Sequence, residues 1–315
     1  MPETSTEPRL YGATRRSLES EPKELPPVWL YDERGSKLYE QITRLREYYL
    51  PQRESEIFRV RAAEIAERTK ARTLVELGSG SARNTRFLLD ALEAAGTLER
   101  FAPFDVSDEM LHATARVLAA VYPRISIEAI VGDFERDLAA LPQEGPRLIA
   151  LLGSTIGNLY PEHRAVLLTT LAGELGDDDR LLLGVDLVKD LDRLSAAYHD
   201  RGGVTEAFVR NALTHVNQEL DATFEQERFA YEPRWDPERE WMDIGLRARE
   251  AHSVSVRRLE RELAFEAGEH LRIEISAKFR RERFELELAR GGLRNEEWWT
   301  DPAGDFAVFL VRPDR

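Results

Sequence analysis

The sequence predicts a doubly wound α/β fold: a mostly parallel sheet covered by helices on both faces, with an inserted α+β lobe and a terminal antiparallel hairpin. Three observations predict it. Apolar strands alternate with amphipathic helices from about residue 58 to residue 187. A glycine turn, "ELGSG", follows the first of these strands. The alternation then breaks from about 188 to 278, before a helix, a Gly-Gly turn and two strands end the sequence.

In chain order, residues 1–19 are polar with scattered prolines and read as a loosely held arm. Residues 26–52 concentrate Trp29, Tyr31, Tyr39, Tyr48 and Tyr49, a density that core packing alone could explain. Phe58, Ala62, Ile65 and Ala66 repeat at helical spacing ahead of the strand "TLVEL", 73–77. Phe87, Leu88, Ala91, Leu92 and Ala95 form the next helical stripe, with Gly96 as its C-terminal stop. A strand at 101–105 leads to Ser107 as an N-cap, with Asp108 and Glu109 suited to the positive end of a helix. Ile125, Ile127, Ala129 and Val131 alternate as a strand, "RLIALLG" from 147 makes another, and "RLLLGVDL" from 180 a fifth. Residues 53–187 and 279–315 are thus expected to form one domain, and 20–52 with 188–278 a second that binds substrate.

Composition narrows the function. Forty-four basic against 58 acidic residues give a net charge of −14, which disfavours a protein that tracks a nucleic-acid backbone. No apolar run approaches the roughly 20 residues that span a bilayer. Cysteine is absent, removing thiolate nucleophiles and zinc-thiolate sites, and the six histidines form no H-x-H or H-E-x-x-H pair. The expectation is a cytoplasmic protein, monomeric, without a metal, acting on a small molecule.

The glycine turn says more. Gly78 and Gly80 suit the first βα turn of a doubly wound sheet, where ligands meet the carboxyl ends of strands. A dinucleotide loop needs a third glycine, and here that position is Arg83. Glu76 would repel a pyrophosphate and suits a cationic ligand, such as a sulfonium with an amino acid tail. Asp105 ends the second strand, where a carboxylate can take two ribose hydroxyls. Asp133 and Phe134 follow the third, where an acid can accept from an adenine amine and a ring can stack on the base. Each acid alone also reads as a helix cap. Together they fit S-adenosylmethionine.

At "LLGSTIGNL", 151–159, the sequence becomes specific. With "WLYDERGSKLYEQITRLREYY", "PFDVS", "GDF", "DLVKD", "ISAKFR" and "WWTDPAGDF", it closely resembles the S-adenosylmethionine-dependent histidine Nα-methyltransferases of ergothioneine biosynthesis, from about residue 20 to 312. The resemblance implies a class I methyltransferase fold with an extra substrate lobe, and three methylations of L-histidine to hercynine. It implies cofactor contacts at Gly78, Gly80, Asn84, Asp105, Asp133 and Phe134. It also implies that Tyr48, Asn158 and Tyr198 hold the amino acid backbone, near Gly153, and that Glu274 and Ser276 bind the imidazole. An acceptor and an adaptable hydroxyl suit the two edges of an imidazole, and i, i+2 spacing on a strand points both to one face. Spacing alone would equally describe a surface strand.

The chain departs from the family in two places. Asn84 replaces a lysine, removing a charge that Arg83 could restore. Ile244 and Gly245 replace bulkier Met and Trp, which implies a roomier side-chain pocket and leaves another aromatic amino acid, tryptophan or tyrosine, as the alternative substrate.

Overall fold

The computed structural model describes residues 6–315, which divide into two compact units. One comprises the chain up to Tyr49 together with Asp190–Ser276; the other comprises Leu50–Lys189 and Ala277–Arg315.

The first unit begins with helix α1 (Thr6–Leu18), strand β1 (Lys23–Glu24), a 3-10 turn at Pro27–Leu30 and helix α2 (Glu33–Ile42). The expectation of a loose arm over 1–19 is therefore corrected for its described part, residues 1–5 lying outside the described residues. Leu18 and Thr14 are buried, and Thr14 Oγ1 accepts from the buried Trp29 Nε1 at 2.9 Å. A single buried tryptophan thus gives a polar helix something to pack against.

The second unit opens with α3 (Leu50–Thr69), whose stripe of Ile57, Phe58, Ala62, Ile65 and Ala66 is buried as its spacing requires. Then follow β2 (Thr73–Leu77), α4 (Thr85–Ala94), β3 (Arg100–Asp105), α5 (Asp108–Val121), β4 (Ser126–Ile127), β5 (Ile130–Val131), β6 (Arg147–Leu151), α6 (Pro161–Glu174) and β7 (Arg180–Asp186). Gly96 ends α4 at φ +72°, while Ser107 occupies the cap position of α5 without a side-chain cap bond. The strand expected over 125–131 is broken between β4 and β5. Both fragments pair with β3 in one continuous register, and the gap faces Pro103, which has no N–H to give.

The chain returns to the first unit through α7 (Leu191–Tyr198), α8 (Val204–Leu220), and strands β8 (Phe229–Tyr231), β9 (Arg234–Asp236), β10 (Trp241–Ala248), β11 (His252–Val256), β12 (Arg261–Phe265) and β13 (His270–Ala277). Its main sheet runs β1-β13-β10-β8, with β9 also on β10, and β11 and β12 form a separate hairpin. The second unit then closes with α9 (Arg281–Arg290), β14 (Leu293–Thr300) and β15 (Phe306–Pro313).

The second unit's sheet has the order β14-β15-β7-β6-β2-β3-β4, with β5 also on β3. From β7 to β4 the pairings are parallel; β15 runs antiparallel between β7 and β14. This is the doubly wound class I methyltransferase arrangement. Strand β2 pairs β3 on one side and β6 on the other, so the order reverses there and a crevice opens at their carboxyl ends. Among the described residues, no helix is long and apolar enough to cross a membrane.

Candidate active site

In the second unit, the loop after β2 is fixed by backbone bonds. Gly78 N and Ser79 N both donate to Phe104 O, at 2.8 and 3.1 Å, turning the chain back over the end of β3. Gly78 and Gly80 take φ of +70° and +46°. A Cβ on Gly78 would lie 3.8 Å from the Phe134 ring and 3.9 Å from Thr155 Cγ2, so backbone, an aromatic ring and the loop after β6 meet at this exposed glycine.

Asp105 already organises the loop. Its Oδ2 accepts from Gly80 N at 2.9 Å and its Oδ1 from Ser107 N at 3.0 Å, leaving further lone pairs for a ligand. Asp133 accepts from Glu135 N at 2.9 Å while Phe134 stays half-buried beside Gly78. The cap-like and ligand-binding readings of these acids are thus compatible in the same geometry.

Glu76 sits at the carboxyl end of β2 and is 5% exposed. Its Oε1 accepts from Thr85 Oγ1, its Oε2 is buried with no partner, and burial holds its carboxyl well above the usual range. Ser79 Oγ is likewise buried and unpartnered. An orphaned acceptor and an orphaned hydroxyl on a turn with exposed backbone fit a cationic amino acid group better than a phosphate.

Asn84 spends its amide hydrogens within the protein. Nδ2 donates to Glu54 Oε2 at 2.8 Å and to Pro51 O at 3.0 Å, and the residue is buried; Arg83 is exposed. Glu54 Oε1 in turn accepts from Gly153 N at 2.8 Å. Burial raises the Glu54 carboxyl to about 7, the two donors opposing the shift. Sequence reasoning missed Glu54, although its signal was present: a carboxylate four residues before Phe58, on the apolar stripe of α3.

Past β6, Gly153 and Ser154 both have positive φ, +66° and +64°, and lead into the 3-10 turn Thr155–Asn158. Gly157 allows a close approach there: a Cβ would lie 2.8 Å from Ala277 O. At the end of β7, fully buried Asp186 binds Lys278 at 2.9 Å and also Lys189, whose ammonium burial pushes down to about 8.

The first unit gathers a different chemistry. Tyr48 is held well above the usual phenol range by burial and by its neighbours Tyr39 and Tyr198. Tyr231 donates to Tyr198 O at 2.8 Å, and burial raises it too, with Tyr198, Asp200, Glu206 and Glu274 adding to the shift. Tyr31, Tyr39 and Phe208 pack edge-on or tilted, with centroids 5.6 to 5.9 Å apart. Tyr48, Tyr198 and Glu274 thus share one neighbourhood, and the raised Tyr48 and Tyr231 phenols remain protonated at neutral pH. In the sequence Tyr31 and Tyr39 belong only to an aromatic-dense stretch that core packing could explain, and Tyr231 carries no signal of its own. Glu274 and Ser276 occupy alternate positions of β13.

The room expected at Gly245 is taken up by a neighbour. Ile244 is buried, and a Cβ on Gly245 would lie 2.5 Å from Leu271 O and 2.6 Å from the His270 ring, which occupies the space. His270 Nε2 bonds Asp243 Oδ1 at 2.9 Å, and Arg272 Nη2 bonds the other oxygen at 2.6 Å. Among the described residues, no three His, Asp or Glu side chains cluster as metal ligands.

Comparison with known proteins agrees with the geometry. Residues 10–313 match the family described as histidine-specific methyltransferase, SAM-dependent. A histidine N-alpha-methyltransferase of Mycolicibacterium smegmatis is 51% identical over 297 residues, covering 94% of this chain and 92% of that protein. Its counterpart from Mycobacterium tuberculosis is 50% identical over 294 residues, covering 93% and 92%. Ergothioneine biosynthesis protein 1 of Neurospora crassa is 30% identical over 315 residues, covering 93% of this chain and 34% of that one. The chain belongs to the histidine-specific, S-adenosylmethionine-dependent methyltransferase family.

Proposed function

We propose that this chain transfers methyl groups from S-adenosylmethionine to the α-amino nitrogen of L-histidine, three times, giving hercynine for ergothioneine biosynthesis. The observation that carries this reading is the 51% identity to a histidine N-alpha-methyltransferase across 94% of the chain. The acidic net charge of −14 supports a small-molecule substrate rather than nucleic acid, and the reading extends to a cytoplasmic monomer.

Gly78, Gly80, Asp105, Asp133 and Phe134 are assigned to the cofactor, and the orphaned Glu76 Oε2 supports a cationic group beside them. When bound, S-adenosylmethionine supplies an electrophilic sulfonium methyl with a neutral thioether as leaving group. The protein therefore has no leaving group to protonate. Its task is to hold a deprotonated amine in line and away from water, and such positioning contributes about 7 to 11 kcal/mol. Tyr48, Tyr198 and Asn158, near Gly153, are assigned to the amino acid backbone. The raised Tyr48 phenol supports an O–H that stays intact as a hydrogen-bonding group. Glu274 and Ser276 are assigned to the two imidazole nitrogens. Transfer ends at the quaternary nitrogen, which has no lone pair left.

Mass spectrometry of the products from histidine and S-adenosylmethionine tests the reading, with trimethylated histidine as the expected species. Turnover of histidine no faster than that of tryptophan would replace histidine with another aromatic amino acid as the substrate.

A further inference from the structure

Two carboxylates in the second unit are held by consecutive residues. Asn84 and Thr85 begin α4; Asn84 donates to Glu54 and Thr85 donates to Glu76. Glu54 comes from α3, and its other oxygen takes the N–H of Gly153 just past β6. Glu76 comes from β2 itself. The helix and the two strand ends that frame the crevice are therefore joined through one pair of acids, 2% and 5% exposed.

This pair has no counter-charge among the described residues. Among the described residues, the groups acting on Glu54 and Glu76 are neutral donors or further acids, with no lysine or arginine. Several charged groups on the elements around α3 are engaged elsewhere. Arg53 binds Glu56, Asp301 and Asp305; Asp186 at the end of β7 binds Lys189 and Lys278; on α4, Asp90 accepts the Tyr122 hydroxyl, near Arg86. Glu76 Oε2 and Ser79 Oγ are both buried without a partner. Buried carboxylates without a cation are costly to keep ionised, and a proton is the simplest neutraliser.

We propose that Glu54 and Glu76 form a proton-exchanging receptor for the positively charged amino acid end of S-adenosylmethionine. The pair holds a proton in the ligand-free protein and releases it to solvent as the ligand's cation takes its place. This rests on the reading that the second unit binds S-adenosylmethionine. One proton leaves, one cation arrives, and no covalent bond changes.

The electrostatics agree in sign. Burial raises Glu54 to about 7 and Glu76 well above the usual range, with Glu54 and Asp105 adding to the Glu76 shift. A facing cation lowers both, so affinity should rise with pH through the ligand-free values. The ligand's own α-amino group stays charged below about 7.7 to 8.0, which sets the useful window below neutrality.

Isothermal titration calorimetry of the full chain with S-adenosylmethionine, in two buffers of different ionisation enthalpy, tests this. Affinity is expected to rise about tenfold from about pH 5.5 to about pH 7, with a fraction of a proton released per site. Asn84→Lys sets a cation beside Glu54 and should retain binding while flattening the profile and abolishing the release. Glu54→Gln should flatten it as well, and Asn84→Lys decides the matter should Glu54→Gln fail to fold. A flat wild-type profile without proton release would overturn the proposal, as would a slope unchanged in the folded variants. Complete absence of binding across the range would overturn the cofactor reading beneath it.

Discussion

The two units build their candidate sites in opposite ways. The second uses backbone turns at the ends of parallel strands, with Gly78, Gly80, Gly153 and Ser154 all at positive φ and acids placed by strand order. The first uses side chains, phenols above all, brought from α2, α7, β8 and β13, far apart in sequence. The lesson is that a turn is local and readable, whereas a ring of tyrosines exists only after folding.

Four perturbations break or sharpen that contrast, in falling order of effect. Asp243→Ala leaves Arg272 and the buried His270 without their shared acceptor, and loss of one partner from a buried pair costs about 3 kcal/mol, the low end because Arg272 keeps Glu24 at 2.8 Å. Thermal denaturation should show the loss, while cofactor affinity, measured well below the transition, holds. In the wild type His270 and Arg272 keep Asp243 far below the usual carboxylate range. Its stabilisation is therefore present above the ordinary aspartate pKa and lost as pH falls through the depressed folded-state value, so acid unfolding of Asp243→Ala should be less steep.

Next comes Glu274→Ala. It should reduce the preference for histidine over tryptophan by about 1.5 to 3 kcal/mol if the imidazole bond is charge-assisted, read as relative kcat/KM. An unchanged ratio would remove Glu274 from the imidazole site. Gly78→Ala forces a side chain to φ +70° at a cost of about 1 to 2 kcal/mol, although the nearest atoms leave room for the methyl. Cofactor Kd should weaken accordingly, with little change in the KM for histidine. Tyr231→Phe, smallest of the four, removes the bond to Tyr198 O and should cost about 0.5 to 1.5 kcal/mol, appearing in the KM for histidine and leaving cofactor Kd unmoved.

Much of the second unit was legible because its signals are periodic and local. The β2 strand, the α3 stripe, the Gly96 stop and the closing hairpin lie where spacing put them. The exceptions are instructive. The broken β4 and β5 pair depends on Pro103 in the neighbouring strand, and the helix α1 on a tryptophan beyond its own end. In the aromatic stretch 26–52 two kinds of packing are interleaved: Trp29 and Tyr49 are buried core, whereas Tyr31, Tyr39 and Tyr48 gather with Tyr198 and Tyr231.

By itself the sequence determined the alternation of strands and helices, the glycine turn that lacks the third glycine of a dinucleotide loop, and the strand-end acids, since each depends on residues a few positions apart. Only tertiary structure decided that Asn84 donates to Glu54, that His270 occupies the space beside Gly245, and that Glu76 keeps an unpartnered oxygen. Those outcomes depend on burial and on partners from other elements, and no local spacing encodes the desolvation that raises a carboxyl's pKa.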